Sequence, residues 1–247
     1  IKKLGLSGGL VPRNATECQG CGVCNFGCPV GGKGSVDRNL IPMAMHRGAL
    51  VQADVKVDRI MHHQGRATGV EGAVRHPETG KVMARLQVLA STVVICCGGI
   101  GTPRLLATAG LQEALGPVGV GLHVHPGSAV IGECDHEVNM WKGATQGAYF
   151  EDPALPGVLP HTFNAPPGAM LLLTRKVGLE AKEAMERVKY MCGCITMISD
   201  HGHGFVSATK DGRADIKYDF ADNDVQRIKD GMVRTAEVVL AGGAKRI

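Results

Sequence analysis

No stretch of this sequence is apolar for long enough to span a bilayer, which takes about 20 residues as a helix. No lysine/arginine block exceeds three residues, and the net charge is only +4 over 247 residues. The electrostatic footprint of a nucleic-acid binder is therefore missing. There is no internal repeat, no low-complexity linker, and no signal-peptide pattern after Ile1. Cysteine is not scarce, but its count is odd: nine residues, which argues against a closed disulfide framework. What remains is a chain that is 44% apolar, enough to build one large core or two smaller ones, with 35 glycines that signal many tight turns and close backbone approaches.

Four of the cysteines lie close together near the start, as Cys18-x2-Cys21-x2-Cys24-x3-Cys28-Pro29. This is the spacing with which ferredoxin-type loops grip an iron–sulfur cluster: thiolates supply the ligands, and the intervening glycines let amides approach the inorganic sulfides. In two-cluster ferredoxins the fourth cysteine of such a run serves the second cluster. No second run exists here, so a 3Fe-4S cluster on three thiols fits as well as a 4Fe-4S cluster on four. Tetrahedral zinc also takes four cysteines, and a loop that packs with free thiols needs no metal at all. Clustered thiols point to redox or metal chemistry in a reducing compartment. The paired histidines (His62-His63, His123/His125 and His201/His203) lack a third ligand nearby in sequence and are read as ordinary histidines.

Hydrophobic periodicity and turn chemistry organise the rest. Residues 1–35 show neither helical nor strand period and read as one long loop. A helix is expected within 36–50, ending at Gly48. Strands follow over 50–95, with turns at Gln64-Gly65 and Thr79-Gly80. The continuously apolar run Thr92–Cys97 reads as a strand buried on both faces. It leads through Gly98-Gly99 into a helix with Thr102 as N-cap and Pro103 at its first position, stopped by Gly110. Strand, glycine turn and helix form half of a nucleotide-binding α/β unit. Beyond 120, residues 124–150 and 157–173 read as strands. A helix spans 179–191, and a hairpin turns at Lys210-Asp211-Gly212. A last helix runs from Asn223 to Gly242, with Val225, Ile228, Met232 and Ala236 inward.

Several landmarks, in order, resemble the glucose–methanol–choline (GMC) family of FAD-dependent oxidoreductases. They are Asn14; Gly27-Cys28-Pro29; Gly31 to Ser35; Gly48-Ala49-Leu50; Val57 to Ile60; Arg66 to Gly72; and Gly98-Gly99-Ile100-Gly101-Thr102-Pro103-Arg104-Leu105-Leu106 with Gly110. Val118 to Leu122 and His125-Pro126 resemble the entry to the family's substrate domain, and Trp141, Gly143 and Gln146 its branch acting on long-chain or bulky alcohols. Ala109 stands where serine is usual, and Gly121 and Val124 replace the usual Asn and Asp.

The resemblance implies a mixed α/β plus α+β architecture. Residues 1–120 would be a partial, Rossmann-like FAD-binding domain carrying the cysteine loop (14–35), and 121–247 a β-rich substrate domain in which an antiparallel sheet is flanked by helices. FAD would be held in part by the Val57 main chain and by Gly98, Gly99 and Thr102. An alcohol would lose hydride to the flavin. A cluster on Cys18, Cys21, Cys24 and Cys28 would pass electrons on to an acceptor protein. The family's GxGxxG strand–turn–helix and its catalytic histidine segment have no counterpart here, so the chain reads as the middle of a longer enzyme, with the catalytic residues downstream of Ile247. The competing classes are an iron–sulfur electron-transfer module and a zinc-stabilised domain, neither with flavin catalysis.

Overall fold

The computed structural model describes residues 1–247, apart from the side chains of Leu173 and Thr174. In chain order its elements are β1 (Ser7–Leu10), α1 (Leu40–His46), β2 (Val55–His63), β3 (Arg66–Arg75), β4 (Val82–Leu89), α2 (Gly98–Thr108), β5 (Val120–Leu122), β6 (Gly127–Glu133), β7 (Ala148–Glu151), β8 (Val158–Thr162), α3 (Pro167–Thr174), α4 (Gly178–Arg187), β9 (Met191–Ile198), β10 (His203–Ala208), β11 (Ala214–Asp219) and α5 (Asp222–Ala241). Every strand pairing in the three sheets is antiparallel. The elements fall into two units, both discontinuous in sequence. One holds residues 1–47, 125–200 and 222–247; the other holds 48–124 and 201–221. The single cut expected at 120/121 thus becomes an exchange of segments, and the cysteine loop belongs with the later strands rather than with residues 48–124.

The second unit contains two three-stranded sheets, ordered β2-β3-β4 and β11-β10-β5. Gln64 (φ 48°) and Gly65 (φ 76°) form the two-residue turn between β2 and β3, with positive φ at both positions as the strand twist demands. The next turn closes through His76, whose Nδ1 accepts from the amides of Glu78 and Thr79. Helix α2 buries Leu105 and Leu106 against Ile60, flanked by Val57, Ile95, Leu111 and Val118. Arg104 donates to the Gly212 carbonyl at 3.1 Å and so ties α2 to the β10–β11 turn.

Two expectations fail in this unit. Residues 92–97 are not a strand, and Val94 is 78% exposed. Their apolar run has the composition of a buried strand, but no strand among the described residues pairs with it. Helix α2 also starts at Gly98, so Pro103 lies inside it and costs one backbone hydrogen bond. Thr102 still serves the helix start: its hydroxyl accepts from the Cys97 amide at 3.2 Å.

The first unit is built on a five-stranded sheet ordered β1-β7-β8-β9-β6. Alternation along β9 turns Cys192, Cys194, Thr196 and Ile198 to one face, where α5 packs. Val130, Cys134, Cys194, Val239 and Ala244 form the core there. Contact is closest at Gly231, where a Cβ would sit 2.5 Å from the Thr196 methyl and 2.8 Å from Val158. Thr196 and Thr235, both fully buried, share a hydroxyl hydrogen bond of 2.7 Å, and Thr235 donates back to the Gly231 carbonyl at 2.7 Å. The inward face of α5 follows Asp224, Gly231, Thr235 and Val239, while Val225, expected inside, is 44% exposed.

Two further readings are corrected. Part of the expected loop 1–35 is strand β1, which pairs with β7 far along the chain. Part of the expected strand region 157–173 is helix α3, opening with Pro167 at its N-terminus. A second small core joins Met140, Met170 and Val188.

Candidate functional site

The cysteine loop is held by backbone contacts rather than by its own secondary structure. Thr16 donates to the Gly32 carbonyl, Gly34 to that of Asn14, and Gly143 to that of Gly20 at 2.6 Å. Cys21 forms an isolated bridge with Gly143. Gly22 makes this possible: its φ is +72°, and a Cβ would sit 1.9 Å from the Trp141 carbonyl oxygen. Arg13 braces the other wall, donating to the carbonyls of Thr145 (2.8 Å) and Gln146 (3.1 Å).

Cys18, Cys21, Cys24 and Cys28 all line one hollow of about 300 Å³, together with Arg13 and Lys33. Two of the thiols are electrostatically favoured as thiolates. The Thr145 hydroxyl and amide hold Cys24 below the ordinary thiol range. The amide of Lys33, joined by those of Val30, Gly32 and Gly31, does the same for Cys28. All four cysteines are free. The spacing predicts a metal or cluster ligand set; among the described residues, however, no three His, Cys, Asp or Glu side chains converge as a group able to hold a metal ion. The thiols share a wall without forming a coordination shell, so no electron-transfer step is derived through a cluster.

The residues expected to hold FAD all lie in the other unit. Val57 is a half-buried residue of β2, its backbone in register with Gly72 and its side chain against the α2 core. Gly98 (φ +76°) and Gly99 open α2 with no atom within 4 Å of where their Cβ atoms would stand. The first two positions of the helix thus leave their backbone open, while Ile100 carries a side chain and Gly101 packs close to Cys97.

The face of the five-stranded sheet opposite α5 was not anticipated from the sequence. Leu159 and His161 on β8 and Met197 on β9 point away from α5, with Tyr149 opposite His161 across the β7–β8 pair. They form part of a groove of three adjoining hollows. The cysteine hollow shares Val11, Pro12 and Gln146 with a hollow of about 450 Å³ that reaches Tyr149 and His161. That hollow shares Glu151 and Leu159 with a third, of about 510 Å³, reaching His125 and Met197. His125 sits at φ +49°, its amide donating to the buried Asp200 carboxylate at 3.3 Å. Strand alternation around His161 was the one signal that could have marked this face. Among the described residues, no helix is long and apolar enough to cross a membrane.

Comparison with known proteins gives these features a family. The GMC oxidoreductase sequence profile matches residues 1–127. An uncharacterized GMC-type oxidoreductase of Mycobacterium tuberculosis, Rv0492c, is 32% identical over the whole of this chain, which covers 38% of that relative. Two relatives from Arabidopsis thaliana, the long-chain-alcohol oxidases FAO1 and FAO3, are 28% and 27% identical, again over the whole chain, which covers 34% and 35% of them. The chain thus spans little more than a third of the length of these relatives, and it belongs to the GMC oxidoreductase family.

Proposed function

We propose that this chain is part of an FAD-dependent oxidoreductase acting on the CH–OH group of an alcohol. The observation that carries the reading is the family match over residues 1–127, extended by the similarity of the whole chain to proteins named long-chain-alcohol oxidases. In this reading residues 48–110 contribute to a Rossmann-like FAD-binding domain. The open glycine start of α2 at Gly98 and Gly99, with Thr102 bonded to the Cys97 amide, and the main chain of Val57 are its cofactor contacts. FAD supplies the hydride acceptor for the carbinol carbon. The residues of this chain bind and orient: α2 offers amides to the cofactor, and the open face of the five-stranded sheet offers the alcohol a bed. No residue of this chain is assigned the proton-accepting role.

The test uses the full-length gene product, expressed and purified without oxygen. Stoichiometric flavin, bleached on addition of a primary aliphatic alcohol, is the expected result. Iron and acid-labile sulfide are measured on the same sample. Flavin with iron and sulfide favours a dehydrogenase that passes electrons to an acceptor protein; flavin alone leaves the cysteine loop metal-free. Absence of flavin, or zinc in its place, overturns the proposal.

A further inference from the structure

Two cysteines from different strands meet beneath the end of α5. Cys134 follows the last residue of β6, and its amide donates to the Tyr190 carbonyl at 2.9 Å. Cys192 lies on β9 opposite Gly132, on the face that α5 covers. Their sulfurs are 4.0 Å apart, and both thiols are free. Cys194 lies two residues farther along β9, opposite Val130, and so leads away from Cys134. The wall around the pair is apolar, made by Val130, Ala236, Val239 and Ala244. The Cys192 thiol makes a weak bond to the Gly132 carbonyl at 3.6 Å. The pair also adjoins an attachment point of the sheet edge. Glu133, next to Cys134, donates its amide to the Arg246 carbonyl at 2.9 Å, and its carbonyl accepts from the Lys245 amide at 2.7 Å. This contact is an isolated bridge, not part of a longer ladder.

We propose that Cys134 and Cys192 are a reversible disulfide pair, oxidised by a small-molecule disulfide such as glutathione disulfide, and that the bond clamps the end of β6 to β9. Placement, not thiol reactivity, selects these two. The sulfurs have to approach by about 2 Å to reach bonding distance. Cys134 lies outside the regular ladder, just before the bend at Asp135, where such a movement is easiest. Half-buried Cys192 meets the reagent first. Its thiolate attacks one sulfur of glutathione disulfide, a Cys192–glutathione bond forms, and the other glutathione leaves as thiolate. Cys134, already beside it, then attacks the Cys192 sulfur in an intramolecular step and releases the second glutathione. The two protons of the cysteines end on the two glutathione thiols, and two electrons pass from the protein to the reagent. Reduced glutathione reverses both steps. Oxidation gives up the weak Cys192 bond to Gly132 and gains a covalent tie between positions 58 residues apart, beside the Glu133–Arg246 bridge. The pair is separate from the four loop thiols and takes no part in the proposed alcohol oxidation.

The experiment reduces the full-length protein, removes the reductant, and equilibrates the folded protein with glutathione buffers of increasing disulfide content. Remaining thiols are alkylated, and peptides are mapped without reduction. The wild type is expected to yield the peptides of Cys134 and Cys192 joined to each other, with no glutathione on either, and dithiothreitol should separate them. Cys134→Ser should instead keep one glutathione on Cys192, while Cys194→Val should leave the linkage unchanged. Hydrogen exchange at the Glu133 and Lys245 amides should slow by at least about 10-fold in the oxidised wild type, and not in Cys134→Ser treated alike. The wild-type measurements decide even where a variant does not fold. No linkage at the most oxidising ratio, a linkage that forms only in urea, a Cys192–Cys194 bond in its place, or unchanged exchange at Lys245 once the linkage has formed overturns the inference.

Discussion

The same unit holds two sets of cysteines in opposite states. In the loop, Cys24 and Cys28 face a hydroxyl and a ring of amides, and their thiols are pulled down. Between β6, β9 and α5, burial pushes Cys194 up to about 11 and Cys192 up to about 12, the latter helped by Cys134 with its sulfur 4.0 Å away. The residue type is the same; what differs is whether the backbone donates to the sulfur or merely excludes water from it. Cysteine count alone therefore says little about chemistry here. Cys134, Cys192 and Cys194 behave as small hydrophobes packed under a helix, and within this unit the thiols held ready for reaction are those of the loop.

The strongest way to break this contrast is thiol labelling of the folded protein. Cys28 and Cys24 should be modified by iodoacetamide at least a thousandfold faster than Cys194, which becomes accessible only when α5 leaves the sheet. Peptide mapping after timed labelling decides, and comparable rates would dissolve the distinction. A second cut separates stability from loop geometry. Gly231→Val should cost on the order of 1–3 kcal/mol in denaturant unfolding, because the side chain has to enter space held by Thr196 and Val158. Gly22→Ala should leave global unfolding nearly unchanged and instead displace the loop from Trp141, altering labelling of the four loop cysteines. If the two variants exchange these phenotypes, the loop is part of the core.

The pH dependence gives a third, smaller effect. The Cys194 thiol has a folded pKa above its unfolded value of about 8.5. The stability it contributes is complete below that unfolded value and is lost as pH rises towards about 11. The slope is at most about 1.4 kcal/mol per pH unit, and Cys194→Val should flatten it in urea unfolding between about pH 8.5 and about pH 11. Smallest of all, Thr145→Val removes the hydroxyl that faces Cys24. It should slow Cys24 alkylation at neutral pH by a few-fold while sparing Cys28, whose amide donors remain in place.

Local chemistry was legible in the sequence; distant partnerships were not. The β2–β3–β4 meander follows from period-two alternation and two turns written in adjacent residues, and α5 follows from its 3.6-residue period. Strand β1 escapes because Ser7-Gly8-Gly9-Leu10 acquires its meaning from β7, and no local signal names that partner. Thr92–Cys97 misleads for the converse reason: its composition suits a buried strand, but a strand exists only where another pairs with it. Helix α3 is an apolar run without period, and such a run reads equally as strand. At the candidate site, the cysteine spacing pointed to a ligand set, and the four thiols line one hollow, but spacing along a chain carries no information on whether sulfurs converge.

The β1–β7 pairing also sets an order in time. The strand that tethers the cysteine loop finds its partner about 140 residues later, and at roughly 5–20 residues per second a ribosome needs on the order of ten seconds to supply it. Throughout that interval Arg13 has no Thr145 carbonyl to clasp, and Cys24 has no Thr145 hydroxyl beside it. The four thiols emerge well before the Thr145 and β7 contacts that house them, so what they meet in the cell during that interval, reductant or oxidant, is encountered by an unsheltered loop.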